Sequence, residues 1–121
     1  MSDWYPGGAE WDEFEKTAKC NRMSTDELLD AVREWGRSHK IDNALMQYCK
    51  TTEELSELAH EFTRGRQSGP EVIDALGDTT VCLIILADIL GYDLMECLAS
   101  AYNVIKNRKG KTVNNSFVKD V

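Results

Sequence analysis

The sequence predicts an all-α protein: an antiparallel four-helix bundle with a small C-terminal hairpin. Three observations carry that expectation. Four segments place their apolar residues at helical and not alternating spacing. Three of them open at a serine, a proline or an aspartate suited to a helix N-terminus. The connections between them are short, which favours antiparallel neighbours.

Residues 1–23 read as an N-terminal extension and 24–121 as the domain. In the extension Trp4, Tyr5, Trp11 and Phe14 are scattered among acids around the turn "YPGG", without a long period. Such aromatics are expected to pack on something, either the chain's own domain or a neighbouring subunit. Helix one starts at "STDELLDAVREW", where Ser24 and Glu27 form a capping box and Leu28, Leu29, Val32 and Trp35 make an apolar stripe. "GRSHKIDN" breaks it.

Helix two is expected from about Asn43 to Arg64, with Leu45, Met46, Cys49, Leu55, Leu58, Ala59 and Phe62 facing inward. After the loop "GRQSGP", Pro70 suits the first turn of helix three, which runs to Leu90 and stops at Gly91. Its second half, "TTVCLIILADIL", reads as buried nearly all round. Asp93 caps helix four, "LMECLASAYNVIKNRK", which is expected to end at Gly110. The tail "KTVNNSFVKD" has two short β-prone pieces around Asn114-Asn115, a plausible hairpin.

Length and charge set the outer limits. A chain of 121 residues suits one domain with one modest core. With 14 basic and 21 acidic residues its net charge is −7, a poor footprint for a nucleic-acid polymer. The longest apolar run, Val81 to Leu90, is interrupted by Asp88 and is too short to span a bilayer. The first sixteen residues lack the basic and apolar regions of a secretory signal. Cys20, Cys49, Cys82 and Cys97 form no CxxC pair, and the last three fall in apolar helical patterns. A reduced, cytoplasmic setting is the simplest expectation.

Acids stand where a bundle ought to be apolar. "TTEELSEL" puts Glu53, Glu54 and Glu57 on one wedge of helix two, at spacings of three and four. Glu71, Asp74 and Asp78 follow i, i+3, i+7 on helix three, just before its most apolar run. If the two helices pack antiparallel, the acidic rows can face each other across the seam. Carboxylates within ~5 Å repel by a few kcal/mol per pair at an effective dielectric near 20. They must protonate, splay into water or bind cations, and oxygen-rich clusters on rigid helices suit Mg²⁺ or Mn²⁺. Against this stands a plain solvated face, which is what most charge runs are. Glu57 to His60 also forms a Glu-x-x-His motif of di-iron carboxylate bundles, but those need two, and His39 has no glutamate three residues before it. Asn103, Lys106, Arg108, Lys109 and Lys111 concentrate at the end of helix four, where they suit the helix C-terminus and could also hold phosphates, as could Lys50.

These residues resemble a family. "EELSE" fits the Glu-Glu-x-x-Glu signature of the MazG-like all-α nucleoside triphosphate pyrophosphatases, and the similarity extends from about Leu28 to Val118. It takes in "QYCKTTEELSELA", the stretch from "EVIDALGD" to "NRKGK", and "VNNSFVKD", the pattern of short phage-type members. The resemblance implies a helical bundle that forms dimers or tetramers. It implies Mg²⁺- or Mn²⁺-dependent cleavage of an NTP or dNTP between the α and β phosphates, releasing pyrophosphate.

By position, Glu54 and Glu57 match the first metal-binding pair, with Glu53 beside them. Asp78 matches the aspartate before the apolar helix. Ala75 departs from the acid expected three residues earlier, and Asp74 is the nearest substitute, with Glu71 a further candidate. Asn103, Lys106, Arg108 and Lys109 match the region that contacts phosphate. On this reading Glu53, Glu54 and Glu57 form the catalytic set, Glu53 or a neighbour activating the attacking water. The base is expected near Trp35, Asn43 and Gln47 or at the N-terminal aromatics, a purine deoxynucleotide such as dGTP being favoured. A non-catalytic helical interaction module is the alternative.

Overall fold

A computed structural model describes residues 23–121. The extension with its aromatics, and Cys20, lie outside them. The elements are α1 (Thr25–Ser38), α2 (Ala44–Thr63), α3 (Pro70–Leu90), α4 (Leu94–Ile105), β1 (Gly110–Val113) and β2 (Ser116–Lys119). The chain is therefore mostly helical, ending in a two-stranded antiparallel hairpin. Among the described residues no helix is long and apolar enough to cross a membrane.

The local signals act as their chemistry dictates. Ser24 Oγ accepts from the Glu27 amide at 3.1 Å, Asn43 Oδ1 from the Met46 amide at 2.9 Å, and Asp93 Oδ1 from the Met95 amide at 2.8 Å. Pro70 occupies the first turn of α3, where its missing N–H costs nothing. In the hairpin Asn114 and Asn115 both take positive φ, 50° and 64°, the turn geometry that matches the twist of its strands. Gly65, at φ 70°, ends α2, and the Arg66 amide donates back to the Glu61 carbonyl at 2.9 Å. That reversal also brings the Arg66 guanidinium onto the Glu61 carboxylate, with two bonds of 2.7 and 3.0 Å.

α3 is the central element, packed by α1 on one side and by α2 along most of its length. The core is Leu29 of α1 with Ala75, Cys82, Ile84, Ile85 and Ala87 of α3. α1 runs on past Trp35 to Ser38, through the segment read as its breaker, because Gly36 is buried directly against Ile85. A Cβ at Gly36 would lie 3.1 Å from Ile85 Cγ1, so glycine sets how closely α1 and α3 approach. Across the same interface Arg37 forks onto Asp88, with bonds of 2.9 and 2.6 Å, and Arg33 reaches Asp93 at 3.3 Å. These charged pairs fix the angle of α1 on the α3–α4 corner.

Three expectations are corrected. The inward face of α2 is Gln47, Thr51, Glu54, Leu58 and Glu61, whereas Leu45, Met46, Cys49, Leu55, Ala59 and Phe62 are exposed in the protomer. α2 has an apolar side and a polar side, and it is the polar side that meets α3. α3 is not covered all round either, since Leu76, Leu83 and Leu90, spaced seven apart, stay 40–53% exposed. The reason is that, among the described residues, α4 touches only α3 and the hairpin packs against no helix. Finally, α4 stops at Ile105, and Gly110 opens β1 opposite Lys119 instead of ending the helix. The chain must already be extended there for the hairpin to pair.

Gly36→Val is expected to cost about 1–3 kcal/mol by overpacking, and Ile85→Ala about 2–5 kcal/mol by cavity formation. Because the two sites touch, the double variant should lose less than the sum in urea denaturation followed by circular dichroism. Strict additivity would show that the helices do not meet there. Arg37 donation holds the Asp88 carboxyl below its ordinary value. The unfolded chain then binds that proton more readily, so the stabilisation is complete above the ordinary aspartate range and fades as pH falls through the lowered folded value. The stability gap between wild type and Asp88→Asn should therefore narrow with acidification, measured as melting temperature against pH.

Candidate active site

The acidic rows meet where α2 crosses α3. Glu54 is the buried member, 7% exposed, at the centre of the polar face of α2. Two turns earlier on that face Gln47 Nε2 donates to the Cys82 carbonyl at 3.1 Å, a buried bond that ties α2 to α3. One turn later Leu58 and then the Arg66-bound Glu61 continue the row. The periodicity of seven from Gln47 through Glu54 to Glu61 is what turns a carboxylate into the seam.

The two oxygens of Glu54 have different fates. Oε1 accepts from Lys50 Nζ at 3.0 Å, and the same ammonium lies 3.7 Å from Glu53. Oε2 is buried and, among the described residues, accepts from no amide, hydroxyl or ammonium, although the adjacent Glu57 carboxyl can bond to Glu54 when it carries the proton. A buried acceptor left in that state costs about 1–3 kcal/mol, more when charged, so it marks a place where a cation or donor belongs.

Its neighbours register the same crowding. Burial, with the charges of Glu54 and then Asp74, pushes the Asp78 carboxyl above its ordinary value. The Glu54 charge is the largest cause raising Glu57 likewise, with desolvation second. Lys50 is pushed up by its hydrogen bond to Glu54. Two carboxyls raised by one shared neighbour mean that the acids of α2 and α3 face each other, as charges that cannot all ionise comfortably. Glu61 moves the other way because Arg66 already neutralises it.

Two clefts open from this point and share Asp78. One, of about 310 Å³, is lined by Glu57, Glu61, Glu71, Asp74, Ala75 and Asp78. The other, of about 390 Å³, is apolar, lined by Ala31, Val32, Trp35 and Val81 together with Asp78. Among the described residues no three ligand-type side chains are drawn together closely enough to hold an ion as they stand. The donor set nonetheless suits a hard divalent ion: all oxygen, on two rigid helices, with one buried oxygen unpartnered.

Comparison with known families, characterised proteins and solved structures gives no match.

The remaining site residues fall in several places. Glu53 is exposed on the outer flank of α2. Asn43 is spent on capping α2 and Gln47 on the Cys82 carbonyl, whereas Trp35 borders the apolar cleft and stacks at 4.5 Å on His39. Asn103 lies on exposed α4, with Lys106, Arg108 and Lys109 just beyond it, and among the described residues α4 packs on neither α1 nor α2. His60 is exposed and borders a shallow groove with Glu53, Ser56, Glu57 and Glu61, all from its own helix. Glu61 went unnoticed in the sequence, although its spacing of seven from Glu54 places it on the same row.

Replacing Glu54 by glutamine should lower the pH at which both Glu57 and Asp78 titrate, read by carboxyl ¹³C NMR in chelated protein. Unchanged titration of both would mean that the three acids are not neighbours.

Proposed function

We propose that the protein is a metal-dependent nucleoside triphosphate pyrophosphohydrolase of the MazG-like kind, converting a (d)NTP and water to (d)NMP and pyrophosphate. The observation that carries the reading is the buried, half-partnered Glu54 with Glu57 and Asp78 crowded around it. A fold does not keep such an arrangement for stability, since removing one acid would relieve it. The sequence resemblance to the family points to the same residues.

Glu54, Glu57, Asp74 and Asp78 are the residues that would hold Mg²⁺ or Mn²⁺. A divalent ion there supplies charge neutralisation for phosphate oxygens and acidifies water. Glu53, exposed beside Lys50, would orient the attacking water or take its proton. Asp78 separates an acidic cleft from an apolar one, which supports a division of labour: phosphates over the acids, base and sugar towards Trp35. The indole face offers stacking to a purine such as that of dGTP. Gln47 supports this pocket by fixing α2 on α3, not by reading the base, because its amide is already engaged.

A second copy of the chain completes the fold in this reading. Leu45, Met46, Leu55 and Phe62 on α2, Leu76, Leu83 and Leu90 on α3, and Leu98, Tyr102 and Ile105 on α4 are each 40–70% exposed. That much apolar surface is characteristic of an interface. A homodimer or tetramer would bury it, make α4 part of an intermolecular bundle, and let Asn103, Lys106, Arg108 and Lys109 approach a neighbour's phosphates. The same exposed faces favour the second reading, a non-catalytic helical interaction module.

A screen of dNTPs and NTPs with Mn²⁺ or Mg²⁺, following pyrophosphate release, decides between them. Turnover is expected for at least one purine deoxynucleotide, and Glu57→Gln and Asp78→Asn should each lower it about a hundredfold or more, with helical content unchanged. No pyrophosphate from any nucleotide, or full activity in either variant, removes the enzymatic reading.

A further inference from the structure

We propose that Lys50 is the resting counter-ion of the carboxylate seam: its ammonium holds Glu54 until a divalent ion arrives, then moves to the substrate's phosphates. This deepens the reading above and rests on it. The starting point is an asymmetry in the ion pair. Lys50 and Glu54 are one turn apart on α2, with Nζ to Oε1 at 3.0 Å. An ordinary pair at that spacing has both ends in water and contributes little. Here the lysine side chain is 51% exposed and the glutamate side chain only 10%. The lysine therefore reaches from solvent into the seam, where it neutralises the most buried acid of the row.

Neutralisation is incomplete. One ammonium serves Glu54 and, at 3.7 Å, Glu53, while Glu57 and Asp78 both lie close enough to feel the Glu54 charge. The second Glu54 oxygen remains buried and, among the described residues, has no cationic, amide or hydroxyl donor. A single positive charge on one oxygen is thus a stand-in for a doubly charged ion able to bridge both helices. Lysine suits a stand-in because its compact ammonium sits on a flexible stem and makes no geometrically fixed fork. Among the described residues its ion-pair partners are Glu53 and Glu54 alone, so nothing else restrains it once Glu54 is taken. Displaced, it stays within one side-chain length of the acidic cleft, as a monovalent donor for a phosphate oxygen.

The arrangement makes two opposite demands on one side chain, and both are measurable without turnover. Mn²⁺ affinity can be read from the free-ion electron paramagnetic resonance signal at about 0.3 M salt, where distant exposed charges are screened. Lys50→Met is expected to bind Mn²⁺ about five- to tenfold tighter than wild type, because the competing charge is gone. Lys50→Arg, which keeps the charge, should stay close to wild type. With Mn²⁺ saturating, inorganic triphosphate, which carries the phosphates and no base, should bind Lys50→Met about tenfold more weakly, the loss of one charge-assisted hydrogen bond. Lys50→Met that binds Mn²⁺ no tighter, or triphosphate no more weakly, overturns the proposal. Glu54→Gln separates its failure from that of the underlying reading. If Glu54→Gln loses Mn²⁺ while Lys50→Met behaves as wild type, only the counter-ion role falls. If Glu54→Gln binds Mn²⁺ as wild type does, the carboxylate site itself is wrong.

Discussion

Glu54 enters the seam between α2 and α3 with one oxygen on the Lys50 ammonium and the other, among the described residues, without a cation, amide or hydroxyl to accept from. A carboxylate desolvated with half its partners destabilises the fold unless surrounding contacts offset it. The offset comes from both ends of the same helix face. Gln47 anchors one end on the Cys82 carbonyl, and Arg66, turned back by Gly65, closes the other over Glu61. On the far side of α3, the Gly36–Ile85 approach and the Arg37–Asp88 fork hold α1 in place. Each of these contacts fixes α3, and a fixed α3 keeps Asp78 opposite Glu54.

The orientation of α2 follows from the same constraint and has a consequence for assembly. Turning the polar row inward leaves the apolar row of α2 outside, together with one stripe of α3 and most of α4. A monomer built this way places its acids in the seam and its leucines in water, the reverse of an ordinary helical domain. The proposed oligomer resolves the inversion. The helix face that carries chemistry is covered within the chain, and the face that carries hydrophobic area is covered between chains. Catalytic geometry would then rest on the α2–α3 contact, while overall stability would depend on protein concentration.

Much of the chain was legible from short-range chemistry. Ser24, Asp93, Pro70 and the Asn114-Asn115 turn all act as their residue types dictate, because caps and tight turns are settled by atoms within a few residues. The facing of the acidic rows was legible too, since helical spacing and a short loop leave few other placements for Glu54 and Asp78. The inward face of α2 was not. Its apolar stripe gave a clear hydrophobic direction, and periodicity carries no information on whether that direction points to the same chain or to another. The end of α4 was misjudged for a related reason: "NVIKNRK" has adequate helix propensity, but pairing of Gly110 with Lys119 claims the backbone first.

By itself the sequence determined the four helices, their caps and the hairpin, and it put carboxylates on one face of two consecutive helices, because these follow from bonds within a turn or two. Only the tertiary structure decided that Glu54 and Glu61 are the acids buried in the seam, and that Asp78 stands between an acidic and an apolar cleft. Burial depends on how closely α1, α2 and α3 approach. That distance is set jointly by residues far apart in the chain, such as Gly36 with Ile85 and Gln47 with Cys82.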